Sequence, residues 1–329
     1  MGFRRYRLTR RYLWLSFSKH EDDVTQVWLN LVDRMMRRVN YDRISGVYDQ
    51  RYRAGGPAGI ARCLCELACQ TGARRMLEVG CGTGYWLTLL PNDGIRYGLD
   101  CSVGMLEKAR QRDDSLRLVL GTADRLPFDQ NAFDLVFCVH ALHHFDDPAT
   151  FVREACRVIR AGGALAIVGM DPQTEPDEWY LYDYFPGTRE TDRGRYPSGD
   201  MILHWMETAG FVRCERRLAA RIEHDAIGSQ VLNDPILQKN GTSQLALLTE
   251  EAFERGMARI REAIRLADGS SEEIVFRTRI ALPVVIGVVS STTEIRQAAH
   301  GYQVLRGSPC RDGSKSEVRS RRHGNGEIG

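Results

Sequence analysis

The sequence predicts an α/β fold with a doubly wound, mostly parallel sheet. Three observations carry that reading. Short apolar strand candidates alternate with helical patterns from residue 57 to residue 170. A glycine-rich turn, Gly80-Cys81-Gly82-Thr83-Gly84, joins a strand candidate over Arg75–Val79 to a helix-like run over Tyr85–Leu90. An acid, Asp100, closes the next strand candidate 22 residues after Glu78. A strand that passes through alternating glycines into a helix brings backbone close to a ligand, because glycine takes positive φ and has no Cβ.

The elements follow in order. Residues 1–40 read as a basic N-terminal extension and a helix. The first part is arginine-rich and free of acids to His20, and Val24–Val39 has helical spacing with Val27, Leu31, Met35 and Met36 among its apolar positions. Pro57–Thr71 forms the first helix of the fold proper. Strands are expected over 75–79, 96–100, 116–120, 133–139 and 162–169, and a helix over 201–209 stopped by Gly210. Two further strand-like runs, 211–222 and 274–289, enclose an insertion, 224–272, with a long helical pattern over Ala246–Ala267. This insertion reads as a helical cap over the substrate mouth or as a brace for one sheet edge. Residues 290–329 are rich in Ser, Gly and Arg and poor in large apolar residues, so a disordered tail is expected.

Spacing narrows the ligand. A dinucleotide fingerprint, G-x-G-x-x-G, would place its third glycine where Tyr85 stands, and no Gly-Lys-Ser/Thr follows to make a phosphate loop. An acid entering the turn, Glu78, is a poor neighbour for pyrophosphate and suits a ligand with a positive charge and free amino or hydroxyl groups. An acid ending the second strand of a βαβ unit, Asp100, can accept hydrogen bonds from a ribose diol.

The string Glu78-Val79-Gly80-Cys81-Gly82-Thr83-Gly84 resembles motif I of the class I S-adenosylmethionine (SAM) methyltransferases. Three later stretches match in order: Leu99-Asp100-Cys101-Ser102 with Met105-Leu106, Ala123-Asp124-Arg125-Leu126-Pro127-Phe128, and Ala141-Leu142-His143-His144-Phe145. Together they cover residues 75–170 and are similar to the small-molecule, type 11 (UbiE-like) branch. The resemblance implies a Rossmann-like seven-stranded sheet in the order 3-2-1-4-5-7-6, the last-inserted strand antiparallel, within a domain over residues 41–289. It implies SAM as cofactor, held by Tyr48, Glu78, Gly80, Cys81, Gly82, Gly84, Asp100, Cys101, Met105, Ala123, Asp124 and His140. In the family the acid at the Asp124 position bonds the adenine amino group, and the segment like Tyr41–Asp49 lies across the cofactor as a strap.

Methyl transfer asks for few catalytic groups, since alignment supplies much of the effect, about 7–11 kcal/mol in well-oriented systems. A base matters only where the nucleophile carries a proton that must leave. His143 and His144, just beyond the fourth strand, are the catalytic candidates, set against a packing role for the same side chains. Asp134 in Phe133-Asp134-Leu135 reads as structural. Cys63, Cys65 and Cys69 read as buried thiols and no metal site is expected. The aromatic run 179–185 reads as a substrate wall or an amphipathic helix.

Composition bounds the function. Net charge is only +2, so no global field points to a nucleic-acid partner. Nine cysteines, an odd number without a disulfide pattern, favour a reducing, cytoplasmic setting. The longest apolar run, 281–289, is far below the roughly 20 residues of a membrane span. The function expected is methyl transfer from SAM to a small-molecule acceptor. An RNA-modifying methyltransferase and a non-catalytic SAM-binding protein are the alternatives. Against RNA, the fourth strand ends Val139-His140-Ala141-Leu142, without the Asp/Asn-Pro-Pro-Tyr/Phe signature of many amine methyltransferases.

Overall fold

A computed structural model of the chain describes residues 39–46, 48–52, 56–174, 177–270 and 272–290. The expected extension and helix before residue 39, and the expected tail after Ser290, lie outside the described residues. The strands are β1 (Arg75–Val79), β2 (Ile95–Asp100), β3 (Arg117–Leu120), β4 (Phe133–Val139), β5 (Ile159–Val168), β6 (Glu178–Trp179), β7 (Phe211–Ile227) and β8 (Val275–Val289). The helices are α1 (Tyr41–Ile44), α2 (Ala58–Gln70), α3 (Tyr85–Thr88), α4 (Val103–Arg112), α5 (Pro148–Val158), α6 (Tyr180–Tyr184), α7 (Thr188–Arg195), α8 (Gly199–Ala209), α9 (Ser243–Ala246) and α10 (Glu250–Ser270).

The sheet runs β3-β2-β1-β4-β5-β8, with β7 on the far edge of β8. The first five strands are mutually parallel, and β8 enters antiparallel beside β5, with Ala166 opposite Ile286. This is the expected order, with β8 as the last-inserted strand and β7 as the one before it. An eighth strand, the two-residue β6, adds to it by pairing with Arg279 and Thr278 of β8.

The sequence specifies these elements locally. In α2, Ile60, Cys63, Leu64, Leu67 and Ala68 recur at helical spacing and are all buried. Ser102, Asp147 and Ser198 cap the first turns of α4, α5 and α8 by accepting the backbone N–H groups of Met105, Thr150 and Met201. Gly210, at φ +103°, closes α8. Every residue of β4 is buried, as a central parallel strand requires. Its side chains alternate between two apolar layers: Leu135, Phe137 and Val139 pack with Met76 and α2, while Val136 and Cys138 pack with Leu77, α5 and α8.

Asp134, the polar exception on β4, ties three strands together. Its Oδ2 accepts the backbone N–H groups of Arg74 (2.6 Å) and Arg75 (2.7 Å), and its Oδ1 pairs with the Arg160 guanidinium. Burial opposes its charge, but the bonds from Arg160, Arg74 and Arg75 outweigh this and hold the carboxyl below the usual range.

The antiparallel pairing of β7 with β8 continues to Ile227 opposite Val275, five residues past the expected strand end at 222. Ladder bonding to β8 therefore overrides the polar character of Glu223, His224 and Asp225. The helical material between these strands begins only at Gly228. The expected long helix is broken: Thr249 accepts the Ala252 N–H and starts α10 anew. Phe253, Met257, Ile260 and Ile264 of α10 pack with Trp179, Tyr180, Leu181 and Phe185. Gly256 allows that closeness, since a Cβ there would lie 2.2 Å from the Phe185 ring. The aromatic run read as a substrate wall is therefore largely core, its Tyr180 and Tyr182 hydroxyls donating to Asp234 and Asp192. Among the described residues no helix is long and apolar enough to cross a membrane.

Asp134→Ala would strand two backbone donors and an arginine at the start of β1. Urea unfolding should show a loss of about 2–4 kcal/mol with an unchanged slope. Because the carboxyl is held low, its contribution is present at neutral pH and is lost as pH falls through the native pKa, below the unfolded value; a loss that persists undiminished in strong acid would contradict this.

Candidate functional site

The turn after β1 folds as it does because of its glycines. Gly80, Gly82 and Gly84 take φ of +74°, +51° and +73°. The first and third are packed closely: a Cβ on Gly80 would lie 2.5 Å from Ala141 Cβ, and one on Gly84 3.0 Å from Leu116. Gly82 differs, for its nearest neighbour would be the Tyr48 ring at 3.8 Å. The middle glycine is thus the one that faces a space rather than a packed wall.

Acids converge on that space. Glu78, at the end of β1, is 1% exposed, and its Oε2 finds no hydrogen-bond partner among the described residues. Burial, and then the neighbouring Asp100, push its carboxyl well above the usual range. Asp100 ends β2; its Oδ2 accepts the Gly82 N–H (2.8 Å) and its Oδ1 the Ser102 N–H (2.9 Å). Burial raises its carboxyl too, against those backbone bonds. An unpartnered buried carboxylate oxygen is costly unless something donates to it. A ligand with an ammonium or hydroxyl group answers that need.

The remaining cofactor candidates lie along the same carboxyl edge of the sheet. Cys81 is buried within the turn, its thiol pushed well up by burial and by Asp100 and Glu78, which makes it inert. Cys101 is exposed and Met105 is buried in the first turn of α4. Ala123 is buried and Asp124 exposed just after β3, whose Leu120 pairs with Asp100. His140 follows β4 at φ +52°, a left-handed conformation unusual for a side-chain-bearing residue. Its N–H bonds Val168 O at 2.9 Å.

A strap covers the turn. Asp42 of α1 accepts the Ser102 hydroxyl (2.6 Å) and the Gly104 N–H (3.0 Å) at the start of α4. Asp49 accepts the Thr83 hydroxyl (2.6 Å) and pairs with Arg112. Tyr52 stacks on Tyr85 with ring centres 3.9 Å apart. Between these clamps Tyr48 is set against Gly82, and the Arg51 guanidinium lies 3.9 Å from the Tyr48 ring centre. The sequence signalled Tyr48 through the family pattern. Asp49 and Thr83 fell within the strap and motif I patterns without a role of their own, and Arg51 gave no signal, because these roles depend on contacts between distant segments.

The two catalytic candidates occupy the short 3-10 turn Leu142–His144. His144 Nε2 lies 2.6 Å from the Tyr41 hydroxyl. Burial pushes the Tyr41 phenol well up and the His144 imidazole down to about 3, so the bond joins a neutral phenol and a neutral ring, and the ring tautomer sets which of them donates. His143 stacks on Tyr196 at 3.8 Å, and its Nε2 has no partner among the described residues. Burial, then His144 and Arg195, lower it well below an ordinary imidazole; burial likewise takes His140 to about 4. His140 and His143 line a cleft, with Met170, Asp171 and Tyr196, at the carboxyl ends of β4 and β5. Such a position is where open α/β sheets bind their ligands.

Comparison with known proteins places this geometry. Residues 77–167 match the methyltransferase domain family. The chain is 30% identical over 168 residues to a malonyl-[acyl-carrier protein] O-methyltransferase of Legionella pneumophila, covering 48% of this chain and 50% of that one. It is 34% identical over 111 residues to a phthiotriol/phenolphthiotriol dimycocerosates methyltransferase of Mycobacterium leprae, covering 32% and 41%. The chain thus spans half or less of the length of these relatives. In fold it is similar to a protein provisionally assigned as a methyltransferase from an antibiotic biosynthesis pathway of Anabaena variabilis, with a TM-score of 0.58 at 21% identity over 71% of this chain and 98% of that one.

The glycines give a paired test. Gly82→Ala should cost about 1 kcal/mol of stability, because its Cβ meets only Tyr48, yet it should abolish binding of S-adenosylhomocysteine by calorimetry. Gly80→Ala should cost clearly more, since Ala141 stands in the way. Equal melting temperatures for the two variants would contradict this account.

Proposed function

Because residues 77–167 form a class I SAM-dependent methyltransferase domain, we propose that the chain transfers a methyl group from SAM to a small-molecule acceptor, at oxygen. The observation that carries the reading is the cradle itself: a positive-φ glycine open on one side, set between Glu78 with its unpartnered oxygen and Asp100, and covered by Tyr48. When bound, SAM supplies an electrophilic methyl group on a sulfonium. Glu78 and the glycine turn would hold its methionine end, Asp100 its ribose, and Ala123 and Asp124 its adenine. His140 would offer a backbone contact. The strap would exclude water from above.

The chain's own residues would do the rest by placement. The acceptor would enter over the cleft at β4 and β5, with His143 and Tyr196 forming a flat wall. For a hydroxyl nucleophile, His143 is the better placed base, because its Nε2 is free while that of His144 is taken by Tyr41. Its lowered basicity restricts it to accepting a proton as the methyl moves, which is worth about 10²–10⁴-fold at most. The helices between β7 and β8 would close the acceptor side as a cap. The reading draws on the names of the relatives, one a malonyl-[acyl-carrier protein] O-methyltransferase and one a phthiotriol/phenolphthiotriol dimycocerosates methyltransferase.

Calorimetry with S-adenosylhomocysteine tests the cofactor half. Burial raises Glu78 and Asp100 in the free chain, and a ligand that donates to them should lower both. Binding should therefore tighten as pH rises through their raised range, and Asp100→Ala should weaken it by about tenfold or more. No binding to the intact chain would sink the proposal.

A labelled-methyl screen across metabolite and RNA pools tests the acceptor half, with small-molecule products expected. With the acceptor in hand, kcat should be flat between pH 5 and 8, because His140 and His144, at about 4 and 3, are already neutral there. An inflection near 6.5 that His143→Ala or His144→Ala removes would overturn the assignment of neutral imidazoles.

A further inference from the structure

Two arginines beside the cleft carry more positive charge than the protein around them balances. Arg51, from the strap, donates from Nη2 to the Gly241 carbonyl (2.9 Å), while its Nε has no partner among the described residues. Arg195, at the end of α7, has a side chain only 10% exposed. Its Nη2 donates to Asp192 (2.6 Å) and Ser243 (3.2 Å), leaving Nε and Nη1 without partners among the described residues. The two guanidinium groups therefore dock on the same loop, at positions two residues apart. Both charges bear on Tyr41 and His144, so they flank the same chamber.

Among the described residues the carboxylate that pairs with these cations is Asp192, bound to Arg195 and already shared with the Tyr182 hydroxyl and the Gln244 amide. Guanidinium groups stay charged at any ordinary pH, so the imbalance cannot be relieved by losing a proton. A buried cation with unmet donors is costly unless an anion completes it, and the planar fork of arginine matches a carboxylate or phosphate oxygen pair. The neighbouring imidazoles are neutral and cannot serve as counter-charge.

We propose that Arg51 and Arg195 form a binding site for an anionic group, carboxylate or phosphate, carried by the methyl acceptor. The inference rests on the methyltransferase reading and specifies its acceptor as an anionic small molecule. Placement favours the acceptor over the cofactor as the source of the anion. Arg195 adjoins Tyr196, which stacks on His143 beyond β4, and it docks on the segment between β7 and β8. The acids that would hold the cofactor lie at the ends of β1 and β2, whereas both arginines dock on the segment between β7 and β8.

The test uses the full chain saturated with S-adenosylhomocysteine and titrated with inorganic phosphate and with acetate. Binding of one or both anions is expected, weakened about ten- to hundredfold by Arg51→Gln and by Arg195→Gln, with affinity for S-adenosylhomocysteine unchanged in Arg195→Gln. Arg195→Lys keeps the charge and the Asp192 pairing but loses the fork, so it should lose a smaller part; with Arg51→Gln it decides the matter if Arg195→Gln does not fold. Anions that fail to bind, or that bind these variants as tightly as the parent chain, would overturn the site. An Arg195→Gln variant that loses S-adenosylhomocysteine, with phosphate competing for it, would assign the cations to the cofactor's own carboxylate and overturn the acceptor assignment. Failure of S-adenosylhomocysteine to bind the parent chain would instead strike the methyltransferase reading, and anion titration of the unliganded chain would still report on the arginines.

Discussion

The path of the backbone from Val79 to Tyr85 is the constraint on which the site depends. Three left-handed residues in five place successive N–H groups around a small concavity, and side-chain-bearing residues resist that conformation. Asp100 fixes the concavity from below by accepting the Gly82 N–H, which also sets the end of β2 against the end of β1. Ala141 and Leu116 close on the outer glycines from opposite sides. Only the middle residue is left open, and the strap sets Tyr48 against it. The cradle is thus made by packing on two glycines and by its absence on the third.

Much of this was legible in the sequence, for a physical reason. The turn, the acids Glu78 and Asp100 and the strands of the parallel half are local patterns, and the nearly continuous apolar run of β4 is what a strand buried on both faces needs. The β7–β8 pair was less legible. Glu223-His224-Asp225 do not look like strand, and only fifteen residues of partner on β8 make them one. The aromatic run 179–185 was ambiguous because a wall and a core helix use the same residues; α10, nearly seventy residues later, decides it by burying Trp179, Tyr180 and Phe185. Arg51 and Arg195 could not be found by pattern at all. In a chain whose basic residues are almost all arginine, nothing distinguishes a buried one until burial is seen.

The strap links two parts of the fold that sequence reading treats separately. Asp42 and Asp49 anchor it to α4 and to the glycine turn, while Arg51 ties it to Gly241 between β7 and β8. Tyr41 adds a bond to His144. A displacement of the strap would therefore loosen the cofactor cradle, free a histidine and break a contact with the expected cap in one movement. Coupling of this kind follows from shared contacts and needs no separate switch.

The charge pattern inside the chamber gives this coupling a direction. At one end two carboxyl groups, Glu78 and Asp100, sit buried without a cation, and desolvation raises both. At the other, Arg195 pairs with Asp192 while Arg51 donates to the Gly241 carbonyl. The protein does not bring these opposite poles together, although pairing them would relieve both. Keeping them apart is costly in a low-dielectric interior, and the cost falls only when a cationic partner reaches the acids and an anionic one reaches the arginines. A sulfonium-bearing cofactor meets the first demand. An anionic acceptor meets the second, and its approach between the poles would align the two ligands head to head, the arrangement an in-line transfer requires.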